Sequence, residues 1–373
     1  MYGSHRWAAS KDDIESGEES VSDFEAFLAS TSVSSAITRF KHEDVKLRRR
    51  QDLNIDARGS CGSVGSVSWQ ALGPSSVDAS PLVAFSTRTD KEVRVCRVVE
   101  NGRSSSVEYS LKVNKWLTPR VIKFITPHEL LITNSIKNSS RVMIYNVEAQ
   151  KYNFFSSIGG KELIQPRFVA NNDHSGLFSV AYDASSIVTC DKRSKRFVSE
   201  NRLNNRTVGL SWTKDGQSLL AGDERSNLYL FDSRMNNQCL IRTQLETVAS
   251  MSSFETNGEN LIACGSPYGT VDIVEISALK SSEAAPQPVV SFDKLVTEVD
   301  RLAFHPIHST LLVASSSHKR NALRVHECAN RKTLPGWPSE LEPIGRARDL
   351  SFSDCGRFLA IGCKSGRVQL YAV

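Results

Sequence analysis

The stretch "FLAIGCKSGRVQLYAV", residues 358–373, decides the fold class. Two runs of β-forming residues, FLAIGC and RVQLYAV, flank the turn sequence KSG. Apolar residues alternate along RVQLYAV, as in a strand with one buried face. The stretch therefore predicts an antiparallel hairpin, and the question is whether that hairpin is one of a series.

The same plan recurs seven times from residue 65 onward. Each unit has a first strand, a polar turn, a second strand of small apolar residues, a turn, and an alternating third strand. Most units add a weaker fourth strand. The first strands end 55, 46, 42, 42, 50 and 48 residues apart, close to the ~40–45-residue period of WD40 blades. The first strands are "GSVSW" (65–69), "RVIKF" (120–124), "PRFVA" (166–170), "VGLSW" (208–212), "SMSSF" (250–254), "DRLAF" (300–304) and "RDLSF" (348–352).

Seven such units predict an all-β protein, a seven-bladed WD40-type β-propeller over residues 51–373. The seventh unit supplies only three strands, and an uncovered strand edge promotes aggregation. The stretch "DLNIDARGSC" (52–61) precedes the first unit, and its Leu53 and Ile55 alternate as in a strand. We therefore expect an N-terminal strand near residues 52–58 to pair with RVQLYAV and close the ring.

Residues 1–50 differ in composition from the rest. Residues 11–25 contain seven acidic residues, and residues 39–50 contain six Lys or Arg against two acids. Blocks of like charge with few apolar residues predict a disordered N-terminal tail, acidic and then basic. The whole chain has a net charge of +5 and 40% hydrophobic residues, which is typical of a globular protein. We expect no membrane segment, and eight cysteines without metal-ligand spacing predict reduced thiols in an intracellular protein.

No pattern of catalytic residues stands out. The sequence contains no nucleophile elbow, P-loop, dinucleotide-binding glycine pattern or H-E-x-x-H. His305, His308, His318 and His326 could form a metal cluster, but their spacing matches no ligand motif, so structural or surface roles are favoured. Asp232 is expected to be a hydrogen-bonding group of a blade. The sequence thus predicts no enzyme, no catalytic, cofactor-binding or metal-binding residue, and no small-molecule substrate.

Three basic clusters are candidates for contacts with RNA or a partner protein. Such clusters could contact phosphates without sequence preference, and the alternative is that they are solvated hairpin tips. The candidate residues are Arg48, Arg49, Arg50, Lys192, Arg193, Lys195, Arg196, Lys319 and Arg320.

The fifth to seventh units carry a family resemblance. Their strings are "ACGSPYGTVDIVEI" (263–276), "LVTEVDRLAFHPIHSTLLVASSSHKRNALRVHE" (295–327) and "GWPSELEPIGRARDLSFSDCGRFLAIGCKSGRVQLY" (336–371). These strings resemble the U3 small-nucleolar-RNA-associated protein 18 family. The likeness rests on the order LVT, FHP, KRNALRVH and GWP, and on Gly265, Gly269, Gly362 and Gly366.

The resemblance implies a nucleolar, non-enzymatic scaffold of the UTP-B module in the small-subunit processome. Its partners would be other WD-repeat subunits of that module, with the U3 particle and ribosomal RNA precursor nearby. Family members often carry an arch-interaction motif, Leu-Phe-x-apolar-Asp, that recruits an RNA helicase. Residues 1–64 contain no such string, and "LYLFD" (228–232) belongs to a predicted core strand, so the sequence does not support helicase recruitment.

Two other functions are compatible with the sequence. A WD40 adaptor in another nuclear or cytoplasmic complex would share the fold but would not bind U3 or 18S precursor RNA. A propeller enzyme would need ionisable residues that converge at one mouth of the channel, and none is evident from the sequence.

Overall fold

The computed structural model describes thirteen stretches of the chain: residues 48–53, 63–70, 81–87, 92–98, 104–112, 119–134, 142–155, 166–182, 185–235, 238–280, 285–335, 337–338 and 343–373. The predicted tail lies outside these residues, apart from Arg48–Arg50. Within the described residues the fold is all-β, with one short helix, α1 (Ile276–Lys280), and a 3-10 turn at Ser233–Met235. None of the helices in these stretches is long and apolar enough to cross a membrane.

The strands form seven four-stranded antiparallel sheets, which confirms the predicted seven-bladed β-propeller. In chain order the strands are β1 (Arg48–Leu53), β2 (Val64–Trp69), β3 (Leu82–Thr87), β4 (Glu92–Val98), β5 (Ser104–Lys112), β6 (Pro119–Phe124), β7 (Glu129–Asn134), β8 (Val142–Asn146), β9 (Lys151–Phe155), β10 (Phe168–Asn172), β11 (Leu177–Tyr182), β12 (Ser186–Asp191), β13 (Phe197–Arg202), β14 (Thr207–Trp212), β15 (Ser218–Asp223), β16 (Asn227–Asp232), β17 (Gln238–Gln244), β18 (Ser253–Thr256), β19 (Leu261–Gly265), β20 (Val271–Glu275), β21 (Val290–Phe292), β22 (Arg301–Phe304), β23 (Leu311–Ser315), β24 (Leu323–Glu327), β25 (Lys332–Thr333), β26 (Ala347–Phe352), β27 (Phe358–Cys363) and β28 (Val368–Ala372).

Each blade consists of four strands in the order A, B, C and D from the channel outward. Blades 1 to 6 are β2–β5, β6–β9, β10–β13, β14–β17, β18–β21 and β22–β25, and blade 7 is β26–β28 with β1 as strand D. The B strands are the most buried, as in β27, where all six residues are buried. Outer strands are far more exposed, as in β17. The small apolar residues of the B strands therefore form the middle of each sheet, as predicted.

The hydrophobic core lies between consecutive blades rather than within each one. Residues of β2 and β3 pack against β27 and β28 in one such cluster, in which Trp69 stacks on Phe358 with ring centroids 6.0 Å apart. Gly362 makes this close approach possible, because an added Cβ would lie 2.7 Å from Cγ1 of Val64. The glycine that the family resemblance singled out in β27 is thus explained by blade packing.

Blade 7 combines strands from both ends of the propeller sequence. β1 pairs antiparallel with β28, with Arg48 opposite Ala372 and Leu53 opposite Val368. The register shifts between Arg49 and Gln51. The sequence placed this strand near residues 52–58, whereas it spans Arg48–Leu53 and shares only residues 52 and 53 with that range. The position was missed because the strand is RRRQDL, whose polar residues give no apolar alternation.

Adjacent blades are also joined by hydrogen bonds between their A–B turns. A side chain at or just after strand A donates to a backbone carbonyl in the A–B turn of the next blade. The bonds are Gln70 Nε2 to Pro127 O (2.7 Å), Asn172 Nδ2 to Gly216 O (2.8 Å), Asn257 Nδ2 to Ser309 O (3.0 Å) and His305 Nε2 to Gly356 O (2.9 Å). The turns therefore fix the blades to one another at this end of the propeller.

A buried carboxylate organises the turn between strands B and C of blade 4. Asp223 is fully buried and accepts hydrogen bonds from the backbone N–H groups of Arg225 and Asn227, each at 2.9 Å. It also accepts from Nδ2 of Asn227 at 2.8 Å, Nδ2 of Asn205 at 2.9 Å and the Tyr229 hydroxyl at 3.1 Å. The sequence had singled out Asp232 instead, which serves the following turn by accepting from the backbone N–H of Arg234 at 2.8 Å.

Candidate interaction surface

The propeller presents turns at two opposite ends of its strands. Because each blade is antiparallel, its A–B and C–D turns share one end, and its B–C turn lies at the other end with the connections to the next blade. We call these the AB end, which includes turns 173–176 and 192–196, and the BC end, which includes turns 316–322 and 364–367. These ends position the predicted contact residues.

The cluster "DKRSKR" (191–196) lies at the AB end, in the C–D turn of blade 3. Two of its four cations have partners within the blades. The Lys192 side chain is largely buried, and its Nζ donates to Asp173 Oδ1 at 2.8 Å. Burial lowers the pKa of Lys192, while Asp173 opposes that shift. Nζ of Lys195 donates to Glu129 of blade 2.

Arg193 and Arg196 are the two exposed cations of that turn. They are therefore the residues of the cluster that a partner can reach, and their contact with RNA or protein stays a prediction. The sequence does not distinguish the two exposed cations from the two paired ones, because the acidic partners of Lys192 and Lys195 lie in another turn and another blade.

The other two predicted clusters lie elsewhere. Arg48, Arg49 and Arg50 belong to β1 on the rim of blade 7. Lys319 and Arg320 are exposed in the B–C turn of blade 6, at the BC end. The structure thus does not bring the three predicted clusters together.

Arg320 instead adjoins cations that sequence reasoning missed. A cavity of ≈ 650 Å³ at the BC end is lined by Arg320, Arg346, Lys364 and Arg367, among other residues. These residues come from three segments of blades 6 and 7, so no local run of charge marks them. An alignment of the seven repeats, turn by turn, would have placed these four cations together at the BC end.

The four histidines do not converge. His305 and His308 lie at the AB end, where burial lowers the pKa of His305 to about 4 and Nδ1 accepts from the backbone N–H of His308 at 2.8 Å. His326 is buried against Phe292, with ring centroids 4.3 Å apart. His318 lies beside Glu298 at the BC end, at 3.2 Å. His305 and His326 thus have structural roles, as the sequence analysis favoured.

The central channel holds ionisable residues that the sequence did not reveal. Two cavities of ≈ 150 and ≈ 220 Å³ are lined by the A strands, and each A strand adds one or two charged or polar residues. Asp349 is engaged across blades, because it accepts from the backbone N–H of Val67 at 2.8 Å and from Nε of Arg301 at 2.9 Å. Glu255 accepts from the Ser211 hydroxyl at 3.2 Å. Each residue belongs to a different blade, which is why the set was not evident in sequence.

Burial changes the pKa of Glu255 in the channel. Its carboxyl touches the cavity but is enclosed by protein, and this burial raises its pKa to about 7, against the opposing charge of Lys123. Because the pKa of Glu255 is higher in the folded than in the unfolded chain, its contribution to stability is fully present below the ordinary carboxyl pKa of 4.5. That contribution is lost as the pH rises from 4.5 through the folded pKa of about 7.

We expect Glu255→Gln to be more stable than the wild type at pH 8 and about equal to it at pH 5. The free energy of unfolding at pH 8 should rise by roughly 2 kcal/mol. This is less than the pKa shift alone would give at about 1.4 kcal/mol per unit, because water in the channel screens part of the effect. Urea denaturation at both pH values measures the difference. Glu246→Gln, at an exposed position, is the control. A difference between Glu255→Gln and wild type that is the same at both pH values would contradict the assignment.

Seven four-stranded sheets around a channel define a β-propeller of the WD-repeat class. No protein-family model matches the chain. The chain is nevertheless similar to six curated proteins, each named U3 small nucleolar RNA-associated protein 18, or a probable form or homolog of it. The resemblance to the U3 small-nucleolar-RNA-associated protein 18 family is thereby confirmed.

Three of these relatives show the extent of the similarity. The Saccharomyces cerevisiae protein is 32% identical over 110 residues, which cover 30% of this chain and 18% of the relative. The Schizosaccharomyces pombe protein is 29% identical over 131 residues, covering 35% and 25%. The Mus musculus homolog is 23% identical over 276 residues, covering 73% and 49%. The matches thus span at most about half the length of these curated relatives.

Proposed function

We propose that this protein is a non-enzymatic scaffold subunit of the small-subunit processome, within its UTP-B module. It acts in the nucleolus with the U3 particle, in early processing of the 18S ribosomal RNA precursor and assembly of the small ribosomal subunit. The observation that carries the proposal is the shared name of the relatives, which come from fungi, animals and a plant and are all U3 small nucleolar RNA-associated proteins.

The surface of the propeller supports a scaffold role. Tyr152 and Phe154 on the outer strand of blade 2 are 49% and 42% exposed, and their rings are in edge contact with centroids 5.1 Å apart. An aromatic pair exposed on a sheet edge is a feature of protein-contact surfaces. Together with two ends of turns, this rim offers separate surfaces for several partners.

The acidic residues of the channel also support a non-enzymatic scaffold role. Its acid Asp349 is held in inter-blade bonds to Val67 and Arg301, which leaves both carboxylate oxygens engaged. Glu255 is placed between blades, with Ser211 of blade 4 as its hydrogen-bond donor. These groups are used in joining blades, so in this proposal the channel serves assembly of the ring.

Depletion of the protein from its native cells is the decisive experiment. We expect mature 18S RNA to fall severalfold while 28S-type RNA stays constant, and the earliest precursors to accumulate, because a missing scaffold blocks the first cleavages. Northern hybridisation measures the precursors. Purification of the tagged protein followed by RNA sequencing should recover U3 and 18S precursor RNA.

Normal 18S maturation in depleted cells would overturn the proposal. Recovery of a stable protein complex without U3 or 18S precursor RNA would instead identify the chain as a WD40 adaptor of another assembly. Re-expression of the wild-type chain is the control, since it should restore 18S levels.

A further inference from the structure

A cavity of ≈ 650 Å³ lies at the BC end, between blades 6 and 7. Three segments surround it: the B–C turn of blade 6, the connection that precedes β26, and the B–C turn of blade 7. We call it the blade 6–7 cleft. Its lining residues are separated by up to about one blade in sequence, so only folding brings them together.

The cleft is strongly positive. Arg320, Arg346, Lys364 and Arg367 line it, all four are exposed, and no described lining residue is acidic. Glu340 and Glu342 precede this connection in sequence and lie outside the described residues. Within the described stretches none of the four cations takes part in an ion pair, unlike Lys192, which pairs with Asp173.

Backbone hydrogen bonds hold the cationic segments in place. The Asn321 N–H donates to Gly345 O at 2.8 Å, and Asn321 Oδ1 accepts from the Ile344 N–H at 2.9 Å. The Lys364 N–H donates to Arg346 O at 2.8 Å. Because the main chain around the cleft is already fixed, a bound anion would not have to order the loops.

The chemistry of the cleft matches a phosphodiester backbone. Arginine forks bind phosphate oxygens in pairs, and a lysine adds a point charge. The cavity is larger than one phosphate needs, and the charges come from two adjacent blades, so successive phosphates can be contacted at once. A site for an apolar peptide would offer an apolar anchor pocket. Here Ile344 is buried, and the exposed lining residues are cationic or small, apart from Pro343.

We propose that the blade 6–7 cleft binds the phosphate backbone of single-stranded RNA, with Arg320, Arg346, Lys364 and Arg367 as the contact residues. This site deepens the proposed function, on which the choice of RNA as the polyanion rests. The contacts are electrostatic and carry no sequence preference.

The test is fluorescence anisotropy with the full chain and a fluorescein-labelled uridine homopolymer of roughly 20 nucleotides. The variant Arg346→Glu/Lys364→Glu should bind at least roughly tenfold more weakly near 100 mM salt. Its plot of log affinity against log salt should be shallower by about 1.4, since each lost single-strand phosphate contact removes about 0.7. The matched control is Lys280→Glu/Arg331→Glu, which makes the same charge change at two exposed AB-end positions and should bind within about twofold of wild type.

Equal losses in the two variants would overturn the proposal, because they would show a response to net charge alone. Undetectable binding by the wild type would also overturn it. A peptide of residues 11–25, which carry seven acids, is the competitor. If the peptide binds the wild type and excludes RNA through the same four residues, the cleft is a site for an acidic peptide and the RNA proposal is wrong.

The two proposals can fail separately. If the tagged wild type recovers U3 RNA while Arg346→Glu/Lys364→Glu binds the homopolymer like the wild type, this inference fails and the proposed function stands. If the cleft binds RNA in vitro but the tagged protein recovers no U3 RNA, the proposed function fails. Melting temperatures of both variants should match the wild type, since the four substituted side chains are exposed.

Discussion

Deleting residues 1–62 should destabilise the whole propeller, whereas deleting residues 1–45 should leave its melting temperature unchanged. The longer deletion removes β1, which pairs with β28 from Arg48 to Leu53. A strand lost from a sheet removes several hydrogen bonds of about 1 kcal/mol each, so we expect a loss of about 5 kcal/mol. For a domain of this size that corresponds to a fall of about 7 °C, since the entropy of unfolding is about 2.1 cal/mol/K per residue. Thermal unfolding followed by circular dichroism measures it.

A peptide of residues 46–56 provides the control. Added to the longer deletion, it should restore part of the lost stability, because β28 again has a partner for its outer edge. A peptide with the same composition in scrambled order should restore less. Equal melting temperatures for the two deletions would show that β1 contributes nothing to closure.

Asp223→Ala should be among the most destabilising single substitutions, with a loss of more than about 4 kcal/mol. Asp223 is fully buried and is the shared acceptor for Arg225, Asn227, Asn205 and Tyr229. Alanine would leave the buried donors of Asn227 and Tyr229 without an acceptor, and each unsatisfied group costs about 1–3 kcal/mol. Urea denaturation gives the change in the free energy of unfolding.

Two variants make this prediction specific. Asp223→Asn keeps one acceptor oxygen and should lose less than Asp223→Ala. Glu224→Ala changes the neighbouring acid, which is exposed, and should change stability by no more than about 0.5 kcal/mol. An alanine effect at Asp223 as small as that at Glu224 would mean that the turn does not depend on the carboxylate.

The fold could be predicted from the sequence because its signal is periodic. The first strands recur at intervals of 42 to 55 residues, and the small-residue B strands are buried as expected. The closing strand was misplaced by a few residues because it lies at an edge, where pairing is through the backbone. RRRQDL meets that requirement without an apolar face.

The candidate contact residues could be predicted only in part, and the reason differs from that for the closing strand. Charge in sequence does not say which cations find acids in the fold. Lys192 and Lys195 were predicted as contact residues, yet their partners Asp173 and Glu129 lie in another turn and another blade. Arg346, Lys364 and Arg367 were missed because each is separated from the others by neutral or buried residues, and the cleft exists only once blades 6 and 7 are side by side.

The pairing of β1 with β28 has a consequence for synthesis on the ribosome. Of the 28 strands in the described stretches, β1 is translated first and its partner β28 last, about 320 residues later. At roughly 5–20 residues per second, the nascent chain therefore carries an unpaired strand for roughly fifteen seconds to a minute. The arginines at the start of β1 suit that interval, since a charged strand resists aggregation.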